Sequence, residues 1–152
     1  LTEVLGATLV HGDISNASEI ENALLDTKAR HIFVVTTTDM PIGIGQTSGF
    51  WDAQQEEFQV IVGFFETLFK VYEQDGIERH VILSTLDNVE EICNQIRETT
   101  GKEWIRTLDD GSIVAHYSGK GKAGQVATQM LAPVHGLHLT LLTLPFLHGN
   151  FL

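Results

Sequence analysis

Apolar and polar positions along the chain alternate between two periods, one close to that of a strand and one close to that of a helix. Ala7 to His11 is a short apolar run after Gly6, closed by Gly12 and Asp13, which reads as a buried strand with a polar exit. Leu1 to Leu5 before it read as the tail of a helix. Ser18 and Glu21 have the spacing of a capping box, and Ile20, Ala23 and Leu24 follow at helical spacing, which predicts a helix from Glu19 to about Asp26. Ile32 to Val35 is apolar throughout, as in a parallel strand covered on both faces, and it opens into Thr36, Thr37, Thr38 and Asp39.

Pro41, Gly43, Gly45, Ser48 and Gly49 mark a loop, and a long helix is predicted from about Asp52 to Gln74. Phe58, Ile61, Phe65, Leu68 and Tyr72 recur along it at spacings of 3 and 4, with Phe64 and Phe69 beside them. This stripe is a core face first, and its aromatic surplus could feed a subunit interface. Gly76 stands where a left-handed residue would end the helix. Val81 to Leu83 predicts the next buried strand, opening into Ser84 and Thr85. Between about 87 and 116 the period changes. Trp104, Arg106 and Leu108 are separated from Ile113, Val114 and Ala115 by an Asp109-Asp110-Gly111 turn, which predicts an inserted loop or hairpin. A helix from about Lys120 to Leu131 carries Ala123, Val126, Ala127 and Met130 on one side, and a last strand runs from Leu137 to Leu144. Strand, helix and strand in alternation is the order of a doubly wound α/β sheet, read here as one domain over residues 1–152.

Composition narrows the function classes. The chain has 152 residues, 43% of them hydrophobic, enough for a real core. Its 20 acidic against 9 basic residues give a formal charge of −11, which disfavours direct binding of nucleic acid or anionic lipid surfaces and favours proteins, cations or a buried ligand as partners. A single cysteine, Cys93, excludes an internal disulfide framework and a multi-thiolate metal site, and suits a reducing compartment. His135, His138 and His148 have no carboxylate or thiolate at ligand spacing, so no metal site is expected. The longest apolar stretches are too interrupted to span a bilayer as a helix.

Three segments, in order, carry a resemblance. Gly6 to Asp13 is similar to the third strand of NmrA-like proteins, where a Gly-Asp pair follows an apolar run. His116-Tyr117-Ser118-Gly119-Lys120-Gly121-Lys122 resembles their His-aromatic-x-x-Lys segment, and Leu144-Pro145 through Asn150 resembles their exit from the sixth strand. NmrA-like proteins are atypical short-chain dehydrogenase/reductases with a Rossmann fold that binds NADP or NAD. Some act as redox sensors that regulate other proteins, and others are oxidoreductases.

The resemblance implies roles by position. Asp13 would meet the adenine, and Thr36, Thr37 and Thr38 would line the ribose and phosphate side. Ser84 and Thr85 would lie near the nicotinamide, Lys120 would hydrogen-bond the nicotinamide ribose, and the backbone at Pro145 would face the carboxamide. These positions follow predicted strands at their carboxyl ends, where open α/β sheets bind ligands. A standard short-chain reductase pairs Tyr and Lys one helical turn apart for proton transfer. Here His116 holds the Tyr position, with Tyr117 three residues before Lys120, so His116, Tyr117 and Lys120 are the candidates for chemistry.

Other departures bear on function. Thr143 stands where the family has Arg, and Gly149 where it has Glu. No Gly-x-x-Gly-x-x-Gly loop follows a first strand, since Gly43 to Gly45 and Gly119 to Gly121 do not sit in that context. Without it a pyrophosphate lacks a helix N-terminus and close backbone donors. The resemblance therefore implies a sheet whose first two strands are missing from these residues, and an isolated segment that neither folds stably nor holds the cofactor by itself. Two functions follow: an NAD(P)-binding oxidoreductase or cofactor sensor, or a non-catalytic Rossmann-fold subunit with a structural role in an assembly.

Overall fold

The long apolar stripe sets the architecture. A computed structural model describes residues 10–36, 50–102 and 115–143. In chain order these form α1 (Ala17–Thr27), β1 (His31–Val34), α2 (Phe50–Asp75), β2 (Arg79–Thr85), α3 (Val89–Thr100), α4 (Ala115–Leu131) and β3 (Leu137–Thr143). The strands make one parallel sheet in the order β1-β2-β3. His31 lies opposite His80 and Val34 opposite Leu83, while Arg79 pairs with Leu137 and Thr85 with Thr143.

This is the order expected of the fourth, fifth and sixth strands of a Rossmann-type sheet. Both crossovers step in the same direction with the same hand, so α2 and α4 share one face and pack on each other. Ile61, Phe65, Leu68 and Val71 of α2 are fully buried there against Val81, Leu83, Ala123 and Ala127. Phe58 and Tyr72, at the two ends of the stripe, are only partly buried, and Phe69 is exposed. Among the described residues the opposite sheet face carries no helix, and Phe33 and Val35 on it are 58% and 54% exposed.

Local chemistry explains the element ends. Gly76 has φ +63 and its N–H donates to Tyr72 O at 2.8 Å, closing α2 as its position predicted. The turn into β2 is held by Arg79, whose buried guanidinium grips both Asp75 oxygens, Nη1 to Oδ1 at 2.9 Å and Nη2 to Oδ2 at 2.5 Å. Hydrogen bonds from Arg79 first, then from the Ile77 N–H, hold the Asp75 carboxyl below its usual range, and the Arg79 and Lys28 charges add to this. The hydroxyl end of the Tyr72 ring lies against Gly136, where a Cβ would collide with it. That contact docks the α4–β3 turn on α2.

Several boundaries differ from the sequence reading. The cap of α1 is Asn16, not Ser18: its Oδ1 accepts from the Ser18 and Glu19 N–H groups, and its Nδ2 donates to Glu19 Oε1 at 2.7 Å. Asn is as good a cap as Ser, and this cap lies two residues earlier than the one expected; the Asn16 N–H donates to Asp13 O, so Glu19 does not close a capping box with it. Within 87–116, the predicted loop or hairpin, Val89–Thr100 is a helix capped by Asn88 and ended by Gly101 at φ 68. The remainder of the proposed hairpin, up to Val114, lies outside the described residues. Helix α4 starts at Ala115 rather than near Lys120. Val10 and His11 belong to no strand, and Ala7 to Leu9 of that predicted strand lie outside the described residues.

Candidate functional site

The start of helix α4 lies at the carboxyl ends of β1 and β2, with Gly119 and Gly121 on either side of Lys120. A Cβ on Gly119 would sit 2.8 Å from Gln54 O of α2, and one on Gly121 would sit 2.6 Å from Asn88 Cα and 2.8 Å from Asp87 C. Only hydrogen in place of a side chain permits this approach, a use of glycine that its bare Cα makes possible. The consequence is burial: Lys120 retains 6% of its surface, and Gly119 and Gly121 are buried with it.

The Lys120 ammonium is aimed at the end of β1. Its Nζ donates to Thr36 O at 2.6 Å and lies 3.5 Å from Glu57 Oε1 of α2. The Thr36 hydroxyl donates to the same Oε1 at 3.0 Å. Thr36 and Glu57 are 5% and 1% exposed, so the three residues form a closed polar triangle in a water-poor layer. Close by on α2, Gln54 is 2% exposed and its Nε2 has no hydrogen-bond partner among the described residues.

The second strand end joins through the backbone. Thr85 Oγ1 donates to Lys120 O at 3.0 Å and to Leu86 O at 3.3 Å, which ties β2 to α4 at the lysine. Ser84 is buried at 8% exposure on the other side of the strand. Ser118 Oγ, fully buried, accepts the Glu90 N–H at the start of α3. Lys122 continues the joint with Glu90 Oε2 at 2.6 Å.

Of the residues singled out in the sequence, Thr36, Thr85 and Lys120 therefore converge, although they come from separate segments. Ser84 ends the same strand as Thr85. Asp13 stands apart, exposed ahead of α1, with Oδ1 accepting from the N–H and hydroxyl of Ser15. Those two bonds, backbone first, hold its carboxyl below the usual value. Position 116 lies one helical turn before Lys120 in α4, the spacing of the short-chain reductase pair. The side chains of His116 and Tyr117, and all of Thr37, Thr38 and Pro145, lie outside the described residues.

Glu57 and Gln54 did not stand out in the sequence. A signal was there, because Gln54 and Glu57 extend the apolar face of Ile61 and Leu68 at the same spacings of 3 and 4. Polar residues continuing a buried stripe point to a buried polar site.

The triangle offers a fixed cation with a bound carboxylate, suited in kind to hydroxyl groups such as those of a ribose. Among the described residues no glycine-rich loop opens a helix to cradle the pyrophosphate of a dinucleotide, since Gly119, Gly121 and Gly124 lie within α4, so the fit there is to one end of the cofactor. Among the described residues no group of three His, Cys, Asp or Glu side chains could hold a metal ion, and no helix is long and apolar enough to cross a membrane.

No protein-family model matches the chain, and no curated protein matches it by sequence. Among solved structures it is similar to the GDP-mannoheptose C4 reductase MlghC from Campylobacter jejuni, which has NADP bound, at 11% identity and a TM-score of 0.48. The match covers 86% of this chain and 36% of that protein, so the chain spans about a third of its length.

Proposed function

We propose that these residues form the nicotinamide-side half of an NAD(P)-binding domain of NmrA-like type, acting in an oxidoreductase or a cofactor sensor. The observation that carries the reading is the buried Lys120, delivered to the carboxyl ends of parallel strands together with Thr36. That is where open α/β sheets bind ligands. In this reading Lys120 holds the nicotinamide ribose, Ser84 and Thr85 flank the ring, and Thr37, Thr38 and the Pro145 backbone complete the site. When bound, the cofactor supplies hydride transfer, and the chain's part is binding and orientation. His116, one turn from Lys120, is the candidate proton donor, with Tyr117 beside it.

One observation favours a second reading, a non-catalytic Rossmann-fold subunit within a protein assembly. The Lys120 ammonium is already paired with Thr36 O and Glu57, as an internal structural lysine would be. Calorimetric titration of the full-length protein with NADPH and NADH separates the two. Saturable binding in the micromolar range supports the first reading. A folded protein that binds neither cofactor supports the second.

A further inference from the structure

A buried lysine on a flexible four-carbon stem has two ways to avoid isolation in a protein interior. It can extend its head to water, or it can meet a counter-charge. Lys120 does the second: Glu57 Oε1 lies 3.5 Å away and the side chains of the two residues are 8% and 0% exposed. The carboxylate is itself oriented, because Thr36 Oγ1 donates to the same Oε1 while Thr36 O accepts the ammonium. Each corner of the triangle thus fixes the other two.

We propose that Glu57 is the positioning residue for Lys120, holding its ammonium against the end of β1 so that it is preorganised for a ligand there. The role at a cofactor rests on the reading of Lys120 given above. Stability alone is a poor reason for such a pair, since apolar residues of similar volume usually serve as well or better. Its place also argues for function. The α2 face is apolar at Ile61, Phe65 and Leu68 and turns polar at Glu57 and Gln54, where it reaches the strand ends. Gly119 brings α4 against Gln54 at that level, and so brings Lys120 within reach of Glu57.

Two readouts in the full-length protein test this, one of them independent of any cofactor. The first is labelling of lysine amines with acetic anhydride, read peptide by peptide by mass spectrometry. Lys120 should label slowly in the wild type beside the exposed Lys70, whose side chain is 62% exposed. Glu57→Gln should raise Lys120 labelling several-fold while Lys122 and Lys70 stay unchanged, and Glu57→Asp should restore part of the protection. The second is NADPH affinity in a double-mutant cycle. Glu57→Gln should weaken binding about tenfold in the wild-type background and have no effect once Lys120→Met is present, as expected for directly coupled residues.

Unchanged Lys120 labelling in a folded Glu57→Gln protein would overturn the proposal, as would equal losses of affinity in both backgrounds. If Glu57→Gln does not fold, Glu57→Asp carries both comparisons. A wild type that binds no NADPH, with Lys120 labelling still released by Glu57→Gln, would discard the cofactor reading and keep the positioning role.

Discussion

The carbonyl of Thr36 accepts a hydrogen bond from the Lys120 ammonium at 2.6 Å, although 84 residues separate them in the chain. Parallel topology makes the meeting possible. It aligns the ends of β1 and β2, and the start of α4, the helix that leads into β3, lies against those ends, where Thr85 Oγ1 bonds Lys120 O. The Thr36 hydroxyl meanwhile serves Glu57, so one residue anchors both members of the ion pair.

Thr36→Val removes the hydroxyl and leaves the carbonyl. The buried Glu57 carboxylate loses a donor, which should cost about 1 to 3 kcal/mol of stability. Lys120 keeps its acceptor, so cofactor affinity should fall less than for Lys120→Met. Chemical denaturation and calorimetry on the same variant check both halves. An affinity loss as large as that of Lys120→Met would show that the hydroxyl, not the carbonyl, sets the lysine.

Two glycines should respond with opposite sign. A Cβ at Gly121 meets the backbone of Asp87 and Asn88, which cannot yield without moving the start of α3, so Gly121→Ala should destabilise by about 1 to 3 kcal/mol. Gly63, inside α2, has nothing within 4 Å of its would-be Cβ. Gly63→Ala should stabilise by about 0.5 to 1 kcal/mol through helix propensity. Thermal unfolding of the two variants reads the contrast, and a neutral Gly121→Ala would mean that α4 does not pack as closely as described.

The Asp75–Arg79 pair predicts a pH dependence. The Asp75 carboxyl is held below its reference value of 3.8, so the folded state favours the carboxylate. A depressed value contributes stability that is present above about 3.8 and is lost as pH falls through the lower, folded value. Arg79 is fully buried at its side chain, so Asp75→Ala should cost about 3 to 5 kcal/mol at neutral pH. The gap between wild type and variant should stay constant from neutral pH down to about 5 and shrink below about 3.8. Denaturant unfolding at a series of pH values measures it, and a gap that widens in acid would contradict the assignment.

Much of this fold was legible because its signals are periodic. The stripe through Ile61, Phe65 and Leu68 fixed α2, Gly76 fixed its end, and the apolar runs at 81–83 and 137–143, with 32–34 of the run 32–35, are in the sheet. Helix α3 escaped although Val89, Ile92, Cys93 and Ile96 have helical spacing, because the run is short and the rest of the helix is polar or charged. The start of α4 escaped because Ser118, Gly119 and Gly121 are poor helix formers, and close packing on Gln54 and Asn88 overrides that propensity. Within the site, Thr36, Thr85 and Lys120 were reached through the resemblance of separate segments. Glu57 was not, since a glutamate in a helix is ordinarily solvated, and only contact across α2 and α4 reveals its partner.

The central claim is that Lys120 meets a nicotinamide cofactor, and the measurement closest to it is the NADPH affinity of the full-length protein with Lys120→Met and, separately, with His116→Ala. Losing a charge-assisted hydrogen bond of about 1.5 to 3 kcal/mol should weaken binding roughly ten- to a hundredfold in Lys120→Met. His116→Ala should leave affinity near the wild-type value and act, if at all, on turnover at saturating cofactor. Wild-type affinity in a folded Lys120→Met protein, with turnover abolished by His116→Ala, would contradict the account and transfer the working role to His116.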